Sequence, residues 1–277
     1  MGVTFTLDKD KRSKWLQQID CAISDEYLDG GSAQKLSGRL SWATQLLFHR
    51  VGRAMIKPIF AQQTTHNGHV GPRLLSALKW WWEVLAFDVC ESREWSRPRD
   101  PPCHLFVDAA SSPPRLAAVL VKDGEVSYTD CSPCNALMTQ LADRRDKQIT
   151  SLVCGVPLRT SVPGCCVLRW QEIMAIMMAL STFSADLTDR KVILFSDNRG
   201  AEATTAKGSA KAFDHNALVH EIWLHAMKYK IHLWVTRVPS KYNIADCPSR
   251  GRFVILNELQ AQWRRPVLAE LYLGKAF

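Results

Sequence analysis

The chain has 277 residues, 47% of them hydrophobic and 22% charged, a mixture that excludes a disordered tail and fits one large globular domain beside a smaller one. Lys and Arg number 35 against 27 Asp and Glu, giving a net charge of +8. Such a balance suits an ordinary basic protein as well as one that meets a polyanion, so charge alone does not decide.

The opening residues MGVTFTLDKDKRSKW lack the apolar core of a signal peptide. No apolar run reaches the ~18 residues a membrane helix needs. An intracellular location, cytoplasm or nucleus, with no membrane partner is therefore expected. Val3, Phe5 and Leu7 alternate with polar residues and predict a short strand. Lys11 to Ala22 and Ala33 to Phe60 read as helices, separated by Gly30-Gly31-Ser32, with Pro58 ending or kinking the second. Residues 61–71 read as a loop and Pro72 to Phe87 as a further helix. Trp80, Trp81 and Trp82 cannot share one face of it, so they divide between helix packing and an edge, where base stacking is the alternative. Residues 91–102 are charged and proline-rich, which places a domain junction near Pro102.

Beyond the junction the pattern turns to strands alternating with helices. HLFVDAA (104–110) is an apolar strand ending in an acid. Residues 115–130 form two strands joined at Asp123-Gly124, a hairpin signal. Glu172 opens an apolar helix running to Phe183. KVILFSDN (191–198) is a second buried strand ending in an acid. A helix over 215–230, a strand over 231–238 and a short element around Asp246 follow. This order predicts a mixed α/β sheet with helices on its faces. Residues 253–277 read as a C-terminal tail or helix.

The acids carry the chemistry. Asp108 and Asp197 end strands apolar enough to be central, where a carboxylate is costly to desolvate without a partner. Glu172 has a bland reading as a helix N-terminal acid favoured by the macrodipole, and Asp246 has one as an N-cap. Taken together, four carboxylates suit phosphodiester hydrolysis by two hard divalent ions held ~3.5–4 Å apart. Among the nine cysteines, Cys131 and Cys134 make a lone C-x-x-C with no second pair to complete a zinc site. His215, His220 and His225 share a helix but not one face, which argues against a softer metal.

Around these residues the chain resembles the ribonuclease H domain of a reverse transcriptase, nearest in kind to DIRS-like retrotransposon polyproteins. The matching stretches are LFVDAA, QEIMAIMMALSTF, ILFSDNRGA, KGSAKAFDHNALVHEIW and RVPSKYNIADCPSR, covering about 104–252. The resemblance implies a ribonuclease H-like fold over 103–252 and two Mg²⁺ ions, with Mn²⁺ as a substitute, on Asp108, Glu172, Asp197 and Asp246. It implies endonucleolytic cleavage of RNA in an RNA/DNA hybrid, read through its 2′-hydroxyls. Asn198, Arg199, Lys241, Asn243 and Arg250 are the expected nucleic-acid contacts; Lys207 and Lys211, which with Arg199 follow Asp197, line either a backbone groove or a solvated face. Residues 1–102 resemble thumb and connection helices. The polymerase palm and its paired Asp are absent, which makes a palm-bearing part of the same element an expected partner.

One departure stands out. Val153 to Gln171 interrupt the family pattern before Glu172, without helical or strand period. Both ends permit in-frame GT…AG boundaries, so the stretch reads as a translated intron, with a tolerated surface insertion as the rival. If the insertion displaces Glu172, a catalytically impaired nucleic-acid-binding remnant is the alternative function.

Overall fold

The structure is a computed structural model that describes residues 2–47, 49–87, 91–94, 100–132 and 165–267. The first part of the expected insertion, 153–164, lies outside them, as does Cys134.

The N-terminal region is built from four helices. Helix α1 (Lys9–Ser24) is capped by Asp8, which accepts from the Lys11 N–H at 3.1 Å. Helix α2 (Gly30–Ala43) is capped by Asp29, which accepts from the Ser32 N–H at 3.0 Å. These caps satisfy amide donors that the first turn leaves without partners. Helices α3 (Arg53–Gln62) and α4 (Pro72–Ala86) complete the set. The single helix expected over 33–60 is thus two helices. Gly52 separates them with a left-handed backbone (φ +84°), and a Cβ there would lie 2.9 Å from the Trp81 ring. Only glycine fits both the conformation and the contact.

Pro58 sits inside α3 without ending it. Its missing N–H deprives the Ala54 carbonyl of a helical donor, and the Asn216 side-chain amide replaces it at 3.0 Å. The tryptophans divide as their spacing requires. Trp81 is fully buried, Trp80 meets the His220 ring edge-on at 5.1 Å, and Trp82 is exposed. Strand β1 (Gly2–Phe5) pairs antiparallel with β2 (Glu91–Glu94). Part of the stretch expected as a linker is therefore a strand.

The second region is a six-stranded sheet. Its strands are β3 (Cys103–Ser111), β4 (Pro114–Lys122), β5 (Glu125–Cys131), β6 (Lys191–Ser196), β7 (His232–Arg237) and β8 (Gln262–Trp263), in the order β7-β6-β3-β4-β5-β8. Strands β3, β4 and β5 form an antiparallel meander, closed at the expected turn, where Asp123 and Gly124 take φ values of +51° and +88°. Strand β6 runs parallel to β3, β7 parallel to β6, and β8 parallel to β5. Helices α5 (Cys165–Thr182), α6 (Ser184–Leu187), α7 (Arg199–Lys207), α8 (Phe213–Lys228), α9 (Asp246–Ser249) and α10 (Val254–Glu258) connect and flank the strands. This mixed α/β architecture is compatible with a ribonuclease H-like fold.

Two boundaries differ from expectation. Helix α5 begins at Cys165, so 165–171 is helical where an unpatterned insertion is expected. Every residue from Ile173 to Leu180 is buried, and a helix buried all round shows no polar stripe to read. The C-terminal segment, expected as a tail or helix, is helical at Val254–Glu258 and then adds an unexpected strand, β8, which pairs with β5 through Ser127↔Gln262 and Tyr128↔Trp263, while 268–277 lie outside the described residues. One apolar core runs from Ile19, Leu40 and Trp81 of the helical region into Leu105, Ile176 and Leu194 of the sheet region. No helix among the described residues is long and apolar enough to cross a membrane.

Candidate metal centre

The sheet topology brings the acids together. Parallel pairing of β3 with β6 ends at Phe106↔Phe195, while β3 continues through Asp108, which pairs with Ala117 of β4. Asp108 therefore stands beside the place where the chain leaves β6, and Asp197 is the residue that follows Ser196 there. Helix α5 packs across β3 and β4 and contributes Glu172 from its interior. One carboxylate oxygen from each of Asp108, Glu172 and Asp197 lies within 4.8 Å of the others.

Burial makes this cluster energetically unusual. Asp108 is 5% exposed and Glu172 is 3% exposed. The Glu172 carboxyl is pushed up to about 9, first by burial and then by the neighbouring charges of Asp108 and Asp197. A backbone hydrogen bond at Ala109 opposes the shift, yet among the described residues Glu172 Oε2 has no partner. The Asp108 carboxyl is pushed up to about 6, again chiefly by burial. The Ser249 hydroxyl and Arg250 pull it back, while Asp197 and Asp246 push with burial. Three acids this close repel one another when ionised, and an orphaned buried oxygen leaves a desolvation cost uncompensated. A hard divalent cation offsets both. The donor set fits one, being oxygen throughout, with neither sulfur nor imidazole in the cluster.

Glu172 corrects one expectation. It is not the opening residue of its helix but lies about two turns in, beyond the reach of the helix N-terminal charge. The macrodipole therefore does not account for it. Asp246 corrects another, since it is the first residue of α9, with Ala245 at the cap position and no side-chain capping bond. Its carboxylate instead accepts from Arg250 Nε at 2.6 Å. Asp246 is near enough to repel Asp108, but it stands beside the three-acid group rather than within it.

The expected nucleic-acid contacts fall into two kinds. Arg199, Lys241 and Arg250 are exposed, with the Lys241 ammonium 4.7 Å from the Tyr242 ring centroid. Asn198 and Asn243 are engaged within the protein. Asn198 accepts from the N–H groups of Gly200 and Ala201 at 2.9 and 3.1 Å, which fixes the turn immediately after Asp197. Asn243 is buried; its amide donates to the Val107 carbonyl at 2.9 Å and reaches Asp108 Oδ1 at 3.4 Å. It thus anchors the strand that carries Asp108.

Sequence reasoning passes over Ser249, which is buried beside the Asp108 carboxyl with its hydroxyl donating to the Asp246 carbonyl at 3.1 Å. The available signal is its spacing of three from Asp246, which puts both on one helical turn. His220 is a core histidine, pushed down to about 4 by burial. The Cys131 thiol is pushed up to about 11 by burial and lies 3.4 Å from the Met178 sulfur. Among the described residues no second group of His, Cys, Asp and Glu gathers as the three acids do. No protein-family model matches the chain, and no curated protein matches it significantly.

Proposed function

We propose that the protein is a metal-dependent endoribonuclease of the ribonuclease H type, cutting the RNA strand of RNA/DNA hybrids. The reading is strongest as the rear part of a DIRS-like retrotransposon reverse transcriptase, with 1–102 in the thumb and connection role and a palm-bearing part as partner. One observation carries it. Three carboxylates from a strand, a helix and a strand end, far apart in sequence, share one buried point, and one of their oxygens has no protein partner.

The roles of the residues follow from their surroundings. Asp108, Glu172 and Asp197 hold the cation site, and Asp246 extends it toward solvent. There they would hold Mg²⁺ or Mn²⁺, which would supply an activated water and stabilisation of the departing oxygen. Burial keeps Glu172 protonated when no cation is present, so cation binding releases protons. Asn243 fixes Asp108, and Asn198 fixes the turn after Asp197. Arg250 holds Asp246 while lying exposed at the rim, where a substrate phosphate has access to its remaining donors.

Cleavage of an end-labelled hybrid in Mg²⁺ tests the reading. The wild-type chain cuts internally within the RNA strand, and Asp197→Asn does not. A hybrid that is bound but left whole by both proteins would identify a nucleic-acid-binding remnant instead.

A further inference from the structure

The seam between the helical region and the sheet region gathers cations that the acid cluster does not use. Helix α7 starts two residues after Asp197 and ends at Lys207. At that end Arg50 Nε donates to the Ala206 carbonyl at 3.2 Å, and Arg53 donates to the Lys207 carbonyl at 3.4 Å. Gly208 ends the helix in a left-handed conformation (φ +76°), and a Cβ on it would meet Arg50 Cβ at 2.6 Å. The close approach of the two regions therefore depends on this glycine.

Lys57 projects from the next turn of α3, and Lys207 and Lys211 are exposed across the seam. The partly buried Lys57 ammonium is held below its ordinary range, first by burial and then by the positive charges of Lys207 and Lys211. Arg53 is lowered in the same sense, by burial and then by Arg50. Cations close enough to disfavour one another are stabilised by an anion placed among them. The helix C-terminal carbonyls supply only about half a unit of negative charge. Among the described residues, none of the five cations is paired with a carboxylate.

We infer that Arg50, Arg53, Lys57, Lys207 and Lys211 form a second nucleic-acid site, which grips the phosphodiester backbone away from the acid cluster. The arginines are tied to carbonyls and set the shape of the seam, each with further N–H donors to spare. The lysines are point charges for phosphate oxygens. Helix α7 is the spacer. Its nine residues span roughly 13 Å at ~1.5 Å per residue. The site rests on the nuclease reading for its ligand class, but it needs no catalysis to be observed.

Fluorescence anisotropy in EDTA, with a labelled RNA/DNA hybrid longer than two helical turns, tests it without involving the acid cluster. The variant K57Q/K207Q/K211Q leaves every hydrogen bond of the seam in place. It is expected to bind on the order of ten- to a hundredfold more weakly, and to reduce the slope of log K against log salt by about 2–3. K57R/K207R/K211R should restore both. K9Q/K14Q/K35Q, the same charge change on exposed lysines of α1 and α2, should leave both close to wild type. In Mg²⁺ the seam variant should raise KM and leave kcat nearly unchanged. A wild-type salt slope in the seam variant, an equal loss in the α1–α2 variant, or failure of the arginine variant to restore binding would each overturn the inference. Absence of cleavage by the wild type would count against the nuclease reading and leave this binding result standing.

Discussion

Gln62 and Glu172 are both long polar side chains on helices, and both are buried, at 6% and 3% exposure. Gln62, in the helical region, donates to the Leu28 carbonyl at 2.9 Å and to the His69 carbonyl at 3.3 Å. Its burial holds two loops to α3, and the hydrogen bonds offset the cost of desolvation. Glu172, in the sheet region, keeps an oxygen with no partner and faces two further acids. Nothing in the fold is gained by that arrangement. A buried polar group that satisfies its neighbours is structural, whereas one that repels them implies a ligand.

That contrast predicts opposite responses to substitution. The largest effect falls on activity. Asp108→Asn, Glu172→Gln and Asp197→Asn should each lower the cleavage rate by about 10³-fold, corresponding to the loss of several kcal/mol of metal-mediated stabilisation. In EDTA Glu172→Gln should not lower the urea midpoint, because it replaces a buried acid whose ionised form the fold disfavours and whose Oε2 lacks a partner.

Stability against pH follows next. Glu172 titrates near 4.5 in the unfolded chain and at about 9 in the fold, so the fold holds an extra proton between those values. Its contribution is complete below about pH 4.5 and is lost as pH rises toward 9. Asp108 adds a drift of the same sign between 3.8 and about 6. Thermal melting in EDTA should therefore show a midpoint that falls from about pH 5 to about pH 8.5, and Glu172→Gln should flatten that slope. Mg²⁺ should stabilise the wild type more at the upper end, where proton competition is weakest.

Gln62→Leu belongs to the other side of the comparison. It leaves two carbonyls without their donor and should cost about 2 kcal/mol in urea unfolding, with cleavage per folded molecule unchanged. The smallest effect is expected at the seam. Asn216→Ala removes the donor that replaces the missing Pro58 N–H and the acceptor of the Ala210 N–H, and it should cost about 1–2 kcal/mol with no change in the pH slope. Loss of cleavage in Gln62→Leu, or a large destabilisation by Glu172→Gln, would blur the distinction between the two kinds of buried group.

Much of the sheet region was legible because its signals are local. Asp123-Gly124 fixes a hairpin through backbone conformations that few residues adopt, and the apolar runs before Asp108 and Asp197 are short and sharply bounded. The position of Glu172 within its helix was not legible, because a helix buried on every side carries no period. The break between α2 and α3 depends on Gly52 meeting the Trp81 ring, a tertiary contact that sequence spacing does not display. The strand at Glu91–Glu94 lacks apolar alternation and exists through pairing with β1. Three of the four acids expected at the centre meet there. Asp246 stands beside them, its carboxylate paired with Arg250, four residues on.

Calorimetric titration of the metal-free protein with Mn²⁺ tests the shared cation site most directly. Wild type should bind with saturation and release protons to the buffer, and Asp197→Asn and Glu172→Gln should each bind far more weakly. Equal Mn²⁺ affinity in all three proteins, or no binding by the wild type, would contradict the assignment of Asp108, Glu172 and Asp197 as a metal centre.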